Sequence, residues 1–229
     1  MRGATSRRRR TAGHRLHISR LALLAVVSLV ASLISVGVSW AIFPEGSAPV
    51  ADDTSFDAAK FYETHSGANA ARGVLVASAP GASLVPKPVA GLNQAQTNNA
   101  FIVIEVARQM QLPERAMVVA IATALQESYL RNLANPKVPA SMRLPHDGTG
   151  TDYDSVGIFQ QRVSIWGTPE QLMDPAFASA KFYNRLLKVN GWQQMSVTNA
   201  AQAVQRSAFA SAYAKHATTA QRIVDELTG

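Results

Sequence analysis

Residues 116–129 read AMVVAIATALQESY. From Ala116 to Leu125 no position is charged, and a helix through this run is apolar on nearly every side. Such a helix lies buried in the middle of a domain. It is too short to cross a membrane. Leu112-Pro113-Glu114 supplies its start, since proline is tolerated at the first helical position and glutamate favours the positive end. The run closes on Gln126-Glu127-Ser128. A carboxylate at the end of a buried helix is disfavoured in its charged form by desolvation and by the negative end of the helix dipole. Both raise its pKa, which lets a carboxylic acid donate a proton near neutral pH. The alternative is a surface glutamate at a frayed helix end, and these residues alone do not separate the two.

Working outward, Phe101–Met110 suits a second helix, apolar with Glu105 and Arg108 interspersed. Residues 131–156 form a long loop rich in Asn, Pro, Gly and Asp, with carboxylates at Asp147, Asp152 and Asp154. Long loops inside compact domains tend to be functional. Gly157-Ile158-Phe159-Gln160-Gln161-Arg162 follows as an apolar turn with amides at one end. Further helices are expected at Thr168–Met173, Pro175–Lys188, Ala200–Arg206 and Ser211–Leu227, with a turn at Gly191-Trp192. Trp166 and Trp192 either pack turns or offer their rings to a ligand. Residues 99–229 thus read as one mainly α domain.

Upstream the composition changes twice. Leu21–Phe43, LALLAVVSLVASLISVGVSWAIF, holds no charge and no proline. As a helix at about 1.5 Å per residue it spans a bilayer core of roughly 30 Å. Residues 1–20 carry seven arginines and no acid, and read as a cytoplasmic leader by the positive-inside rule. The expectation is a single-pass signal-anchor with the C-terminal domain outside the cytoplasm, because the apolar run exceeds a signal-peptide core and lacks a clean A-x-A site. Secretion after cleavage is the alternative. Residues 44–98 mix Pro, Gly, Ala, Ser and Asn without a sustained period, and read as a flexible spacer.

Several function classes drop out. The formal charge of +7 comes from the leader; without its seven arginines, 15 basic residues face 15 acidic ones. A nucleic-acid binder needs basic charge on the face that meets phosphates, so nucleic acid is not an expected partner. There are no cysteines, which excludes disulfides, thiol catalysis and cysteine metal sites. The five histidines form no close ligand pair, Gly148-Thr149-Gly150 lacks a following Gly-Lys-Ser, and no Gly-x-Ser-x-Gly elbow is present. No metal and no cofactor is expected.

Ala122–Tyr129 (ATALQESY), Asp154–Arg162 (DSVGIFQQR) and Trp166–Pro175 (WGTPEQLMDP) together resemble the lysozyme-like domain of bacterial lytic transglycosylases and goose-type lysozymes, in its actinobacterial exported form. The likeness covers about residues 99–215. It implies a lysozyme-like helical fold and cleavage of peptidoglycan glycan strands between N-acetylmuramic acid and N-acetylglucosamine. It places Glu127 as the catalytic acid and Ser128 as the residue that positions the acid or the sugar. Gly157, Ile158, Phe159, Gln160 and Gln161 fall where the family's glycan-cleft motif runs. Asp152 or Asp154 is a possible second carboxylate of the goose-type kind. Soluble lytic transglycosylases also carry a tyrosine-asparagine pair in a later Ala-rich helix facing the glutamate. Here Ala201–Ala208 reads AQAVQRSA, so Gln205 and Arg206 stand at that place, and Gln205 is a candidate cleft residue. Two other readings compete: a wall-binding module that kept the fold and lost turnover, and a membrane-anchored helical interaction domain.

Overall fold

The computed structural model describes residues 56–64, 86–206 and 211–229. The expected leader and membrane helix, and the spacer residues 44–55 and 65–85, lie outside the described residues. No helix among the described residues is long and apolar enough to cross a membrane.

The described chain is mainly helical. A short helix α1 spans Ala58–Thr64. Helix α2 spans Gln94–Gln109 and α3 spans Glu114–Glu127. A long ordered loop leads to a two-stranded antiparallel ribbon, β1 (Ser155–Val156) and β2 (Gln161–Arg162), with Ser155 opposite Arg162 and Val156 opposite Gln161. Helices α4 (Val163–Trp166), α5 (Pro169–Leu172), α6 (Pro175–Leu187) and α7 (Val197–Gln205) follow. A single turn of 3-10 helix, Ala214–His216, leads into α8 (Ala217–Thr228).

Helix α3 is the axis of the fold. Every residue from Ala116 to Leu125 is buried, as its unbroken apolar run requires. α2, α6, α7 and α8 pack around it. Small residues let them come close: Ala116, Ala120, Ala122 and Ala124 on α3, Ala100 and Ala107 on α2, Ala200 and Ala201 on α7. Thr123 is tolerated inside because its hydroxyl donates to the Val119 carbonyl at 2.7 Å.

Several boundaries differ from the expectation. Helix α2 starts at Gln94, well before Phe101, because Asn93 and Gln96 form a reciprocal capping box with both bonds at 2.9 Å. Its polar first turn hid that start. Helix α7 begins at Val197, where Ser196 caps the Asn199 amide. Helix α8 begins only at Ala217 rather than at Ser211.

Two pieces read as spacer belong to the folded unit. Residues 86–98 lead into and start α2, and Leu92 is buried. In α1, Phe61 is wholly buried, and the Tyr62 hydroxyl donates to Asp174, the residue that caps α6. Removing a buried phenylalanine side chain ordinarily costs about 3 kcal/mol or more. Phe61→Ala is therefore expected to lower the urea midpoint and to expose residues 56–64 to protease. An unchanged midpoint would place α1 outside the cooperative core.

Candidate active site

Helix α3 ends abruptly. Ser128 caps it, and Tyr129 and Leu130 both take left-handed backbone, at φ 57 and 61. Their turn returns the Leu130 amide to the Ala124 carbonyl at 3.1 Å. Glu127 is thereby held at the rim of the core. Burial pushes its carboxyl up from 4.5 to about 6, the Tyr213 hydroxyl and the Gln205 amide pull it back, and the charge of Asp152 adds a smaller push upward. The Tyr213 hydroxyl donates to Oε1 at 2.7 Å. An ionised carboxylate at a frayed helix end would show none of this.

The Ser128 hydroxyl donates to the Ile158 carbonyl at 2.7 Å. Gln205 Nε2 donates to the Phe159 carbonyl at 2.8 Å. The turn after β1 is thus stitched through its main-chain carbonyls to the end of α3 and to the end of α7. This corrects the expected cleft lining. Ile158 and Phe159 are fully buried, Phe159 stacking on Phe182 with centroids 4.8 Å apart. Gln161 is buried too, its Nε2 directed at the Ala178 carbonyl. Ser128 faces inward and positions the acid's helix end. Gln160 alone among the amides of this turn is half-exposed, in left-handed backbone (φ 46), with Nε2 donating to the Gly157 carbonyl at 3.0 Å. Gln205 belongs to the acid's own surroundings.

Gly157 has a structural reason to be glycine. Its φ is +78, and a Cβ there would lie 2.2 Å from the Leu172 carbonyl oxygen. α5 therefore presses directly on the turn.

The three loop carboxylates have different fates. Asp147 accepts from the Asn99 side chain at 2.9 Å and from the Asn132 amide at 2.8 Å, which fastens the loop to α2. Asp154 accepts from Arg162 Nε at 2.5 Å and from the Ser164 amide at 2.7 Å. It is a structural ion pair, not a free second carboxylate. Asp152 is exposed, close enough for its charge to be felt at Glu127.

A loop this long is ordered because buried asparagines bind its main chain. Asn132 Nδ2 donates to the carbonyls of Pro145 and Met173, and Asn135 Nδ2 to those of Asp152, Tyr153 and Ser155. Buried main-chain groups need such partners. The tryptophans take the packing role: Trp192 is buried, and Trp166 is buried beneath the Arg185 guanidinium.

Tyr213 is the residue that sequence reasoning missed. α7 ends at Gln205 and Arg206 turns left-handed (φ 53), so the Ala-rich helix stops before the expected pair is complete. The tyrosine facing the glutamate comes instead from the turn before α8, eight residues after Gln205. The Ala-Tyr-Ala stretch at 212–214 was the available signal.

No group of His, Asp or Glu side chains among the described residues is arranged to hold a metal ion. A cavity of about 330 Å³ opens at the other end of α3, beside Glu114, Arg115, Thr218 and Gln221. Gln221 there donates to Glu114, and Arg115 to the Met195 carbonyl. It has no link to Glu127. A scan against protein-family models matches none to this chain, and a search of curated proteins also returns no match.

Proposed function

We propose that the chain cleaves the glycan strands of peptidoglycan, with Glu127 as general acid at the bond between N-acetylmuramic acid and N-acetylglucosamine. The observation that carries this reading is a buried carboxyl raised to about 6 and gripped by the Tyr213 hydroxyl at the rim of an otherwise apolar helix. A carboxyl so raised keeps its proton under mildly acidic conditions and can pass it to a glycosidic oxygen, stabilising departure through an oxocarbenium-like transition state. The resemblance of residues 122–129, 154–162 and 166–175 to the lysozyme-like domain of lytic transglycosylases supports the same fold and chemistry.

Between the two outcomes we favour transglycosylation. Asp154 is committed to Arg162, so Glu127 has one less candidate for a water-activating partner. The acid then becomes the base: after protonating the leaving oxygen, Glu127 takes the proton of the sugar's own 6-hydroxyl, which closes a 1,6-anhydro ring. Asp152 as water activator would instead give a reducing end. The non-catalytic wall-binding reading drew on a missing tyrosine, and Tyr213 removes that ground. The proposed setting is extracytoplasmic, with residues 21–43 as a membrane anchor, peptidoglycan as partner and no cofactor.

Digestion of purified peptidoglycan by the full-length chain, with products read by mass spectrometry, tests this. Anhydro-muramyl ends are expected. Reducing ends would make the protein a muramidase, and no products from folded protein would favour a binding module.

Tyr213 predicts a pH effect. Its hydroxyl stabilises the ionised carboxylate and so holds the pKa down. In Tyr213→Phe the pKa rises, the acid stays protonated to higher pH, and the falling alkaline limb of the kcat profile moves upward from about pH 6. A limb that stays in place, or moves down, would rule out this role for the hydroxyl.

A further inference from the structure

Between Asp152 and Asp154 the loop holds an aromatic ring in a strained and exposed position. Tyr153 is 44% exposed, and its backbone is left-handed at φ 41. That conformation is a genuine outlier for a bulky residue. Tyr129, Leu130, Gln160 and Arg206, in the segments that frame Glu127, share it, as do Ala90 and Gln111 elsewhere. Strain of this kind persists only where the surroundings enforce it, and it clusters at binding and catalytic sites.

The enforcement at Tyr153 is explicit. The fully buried Asn135 amide donates to the carbonyls of Asp152, Tyr153 and Ser155 at 3.3, 3.1 and 3.0 Å. Lys137 Nζ donates to the Thr151 carbonyl at 2.9 Å. Arg162, fixed by Asp154, sets its guanidinium carbon 5.0 Å from the centroid of the Tyr153 ring. An exposed tyrosine ordinarily turns freely in solvent. This one is braced through its backbone and by a cation, while nearly half its surface stays open. Its neighbour Asp152 lies near enough to Glu127 to act on it electrostatically.

We propose that Tyr153 is a stacking platform for one pyranose ring of the glycan strand, on the flank of the site beside Asp152. The proposal rests on the reading of Glu127 as a glycan-cleaving acid and adds a binding subsite to it. A β-linked pyranose offers a face of C–H bonds that lies well on the electron-rich face of an aromatic ring. A ring already held in place loses little freedom when the sugar arrives.

The test uses the full-length chain carrying Glu127→Gln, so that ligand is bound and not consumed. A soluble β-1,4-linked N-acetylglucosamine tetramer is titrated by calorimetry. Tyr153→Asn removes the ring and is compatible with left-handed backbone, so it leaves folding intact. It is expected to weaken binding about tenfold, the scale of one aromatic contact. Tyr153→Phe keeps the ring and is expected to bind like its parent. Unweakened binding by Tyr153→Asn, with a parent that does bind, overturns the platform alone. Equal weakening by Tyr153→Phe also overturns it, since the hydroxyl would then be the recognised group. A parent that binds no glycan, with a wild type that cleaves none, overturns both the platform and the reading it rests on.

Discussion

Glutamine at position 127 is expected to leave a folded protein that cleaves glycan at least about 10³-fold more slowly, within the range that a positioned general acid contributes. The amide has the carboxyl's shape and can still accept from Tyr213, so the loss falls on proton donation. The same substitution should make the protein more stable at neutral pH. Folding raises the Glu127 pKa from 4.5 to about 6, so the fold prefers the protonated form. That preference contributes fully below about pH 4.5 and is lost as pH rises through about 6. Above that range the ionised carboxylate costs about 2 kcal/mol, since each tenfold change in proton affinity is worth about 1.4 kcal/mol. Glutamine carries no charge at any pH. Urea denaturation should therefore give a Glu127→Gln variant more stable than wild type by about 2 kcal/mol at about pH 8, with that advantage gone near pH 4. A variant that is inactive and also less stable at the higher pH would show that Glu127 is structural.

Gly157→Ala is expected to carry the largest stability loss. The added Cβ meets the Leu172 carbonyl oxygen at 2.2 Å, and that atom is backbone, so no side-chain rotation relieves the contact. Alanine at φ +78 adds its own strain. Together these amount to about 4 kcal/mol. In a domain of this size that is a fall of about 10 °C in Tm. Calorimetry checks it, and a change under about 2 °C would mean that α5 moves away without cost. Activity should fall as well, because the turn carries the carbonyls that accept from Ser128 and Gln205.

What the sequence made legible follows from where the physics is local. Helix α3 was readable because a run without a charged side chain has one place to go. Glu127 was readable as the group stranded at its end. The start of α2 was missed because Asn93 and Gln96 read as linker residues until they are seen bonding each other. Ile158 and Phe159 were assigned to the cleft by their motif, yet two apolar side chains beside a buried helix find the core more readily than a polar groove. Asp154 was indistinguishable from Asp152 in the sequence, since its difference lies in Arg162 across a two-residue ribbon. Tyr213 reaches Glu127 across 86 residues of chain, a separation that no local pattern encodes.

That separation also governs when the chemistry can exist. Glu127, the Ile158–Phe159 carbonyls, and the pair Gln205 and Tyr213 come from three distant stretches and meet only in the finished fold. In an unfolded chain Glu127 is an ordinary glutamate, with neither the burial that raises its pKa nor Tyr213 and Gln205 beside it. On the proposed function, a chain that has not finished folding therefore carries no glycan-cleaving activity. Latency ends when the last segment closes against the first.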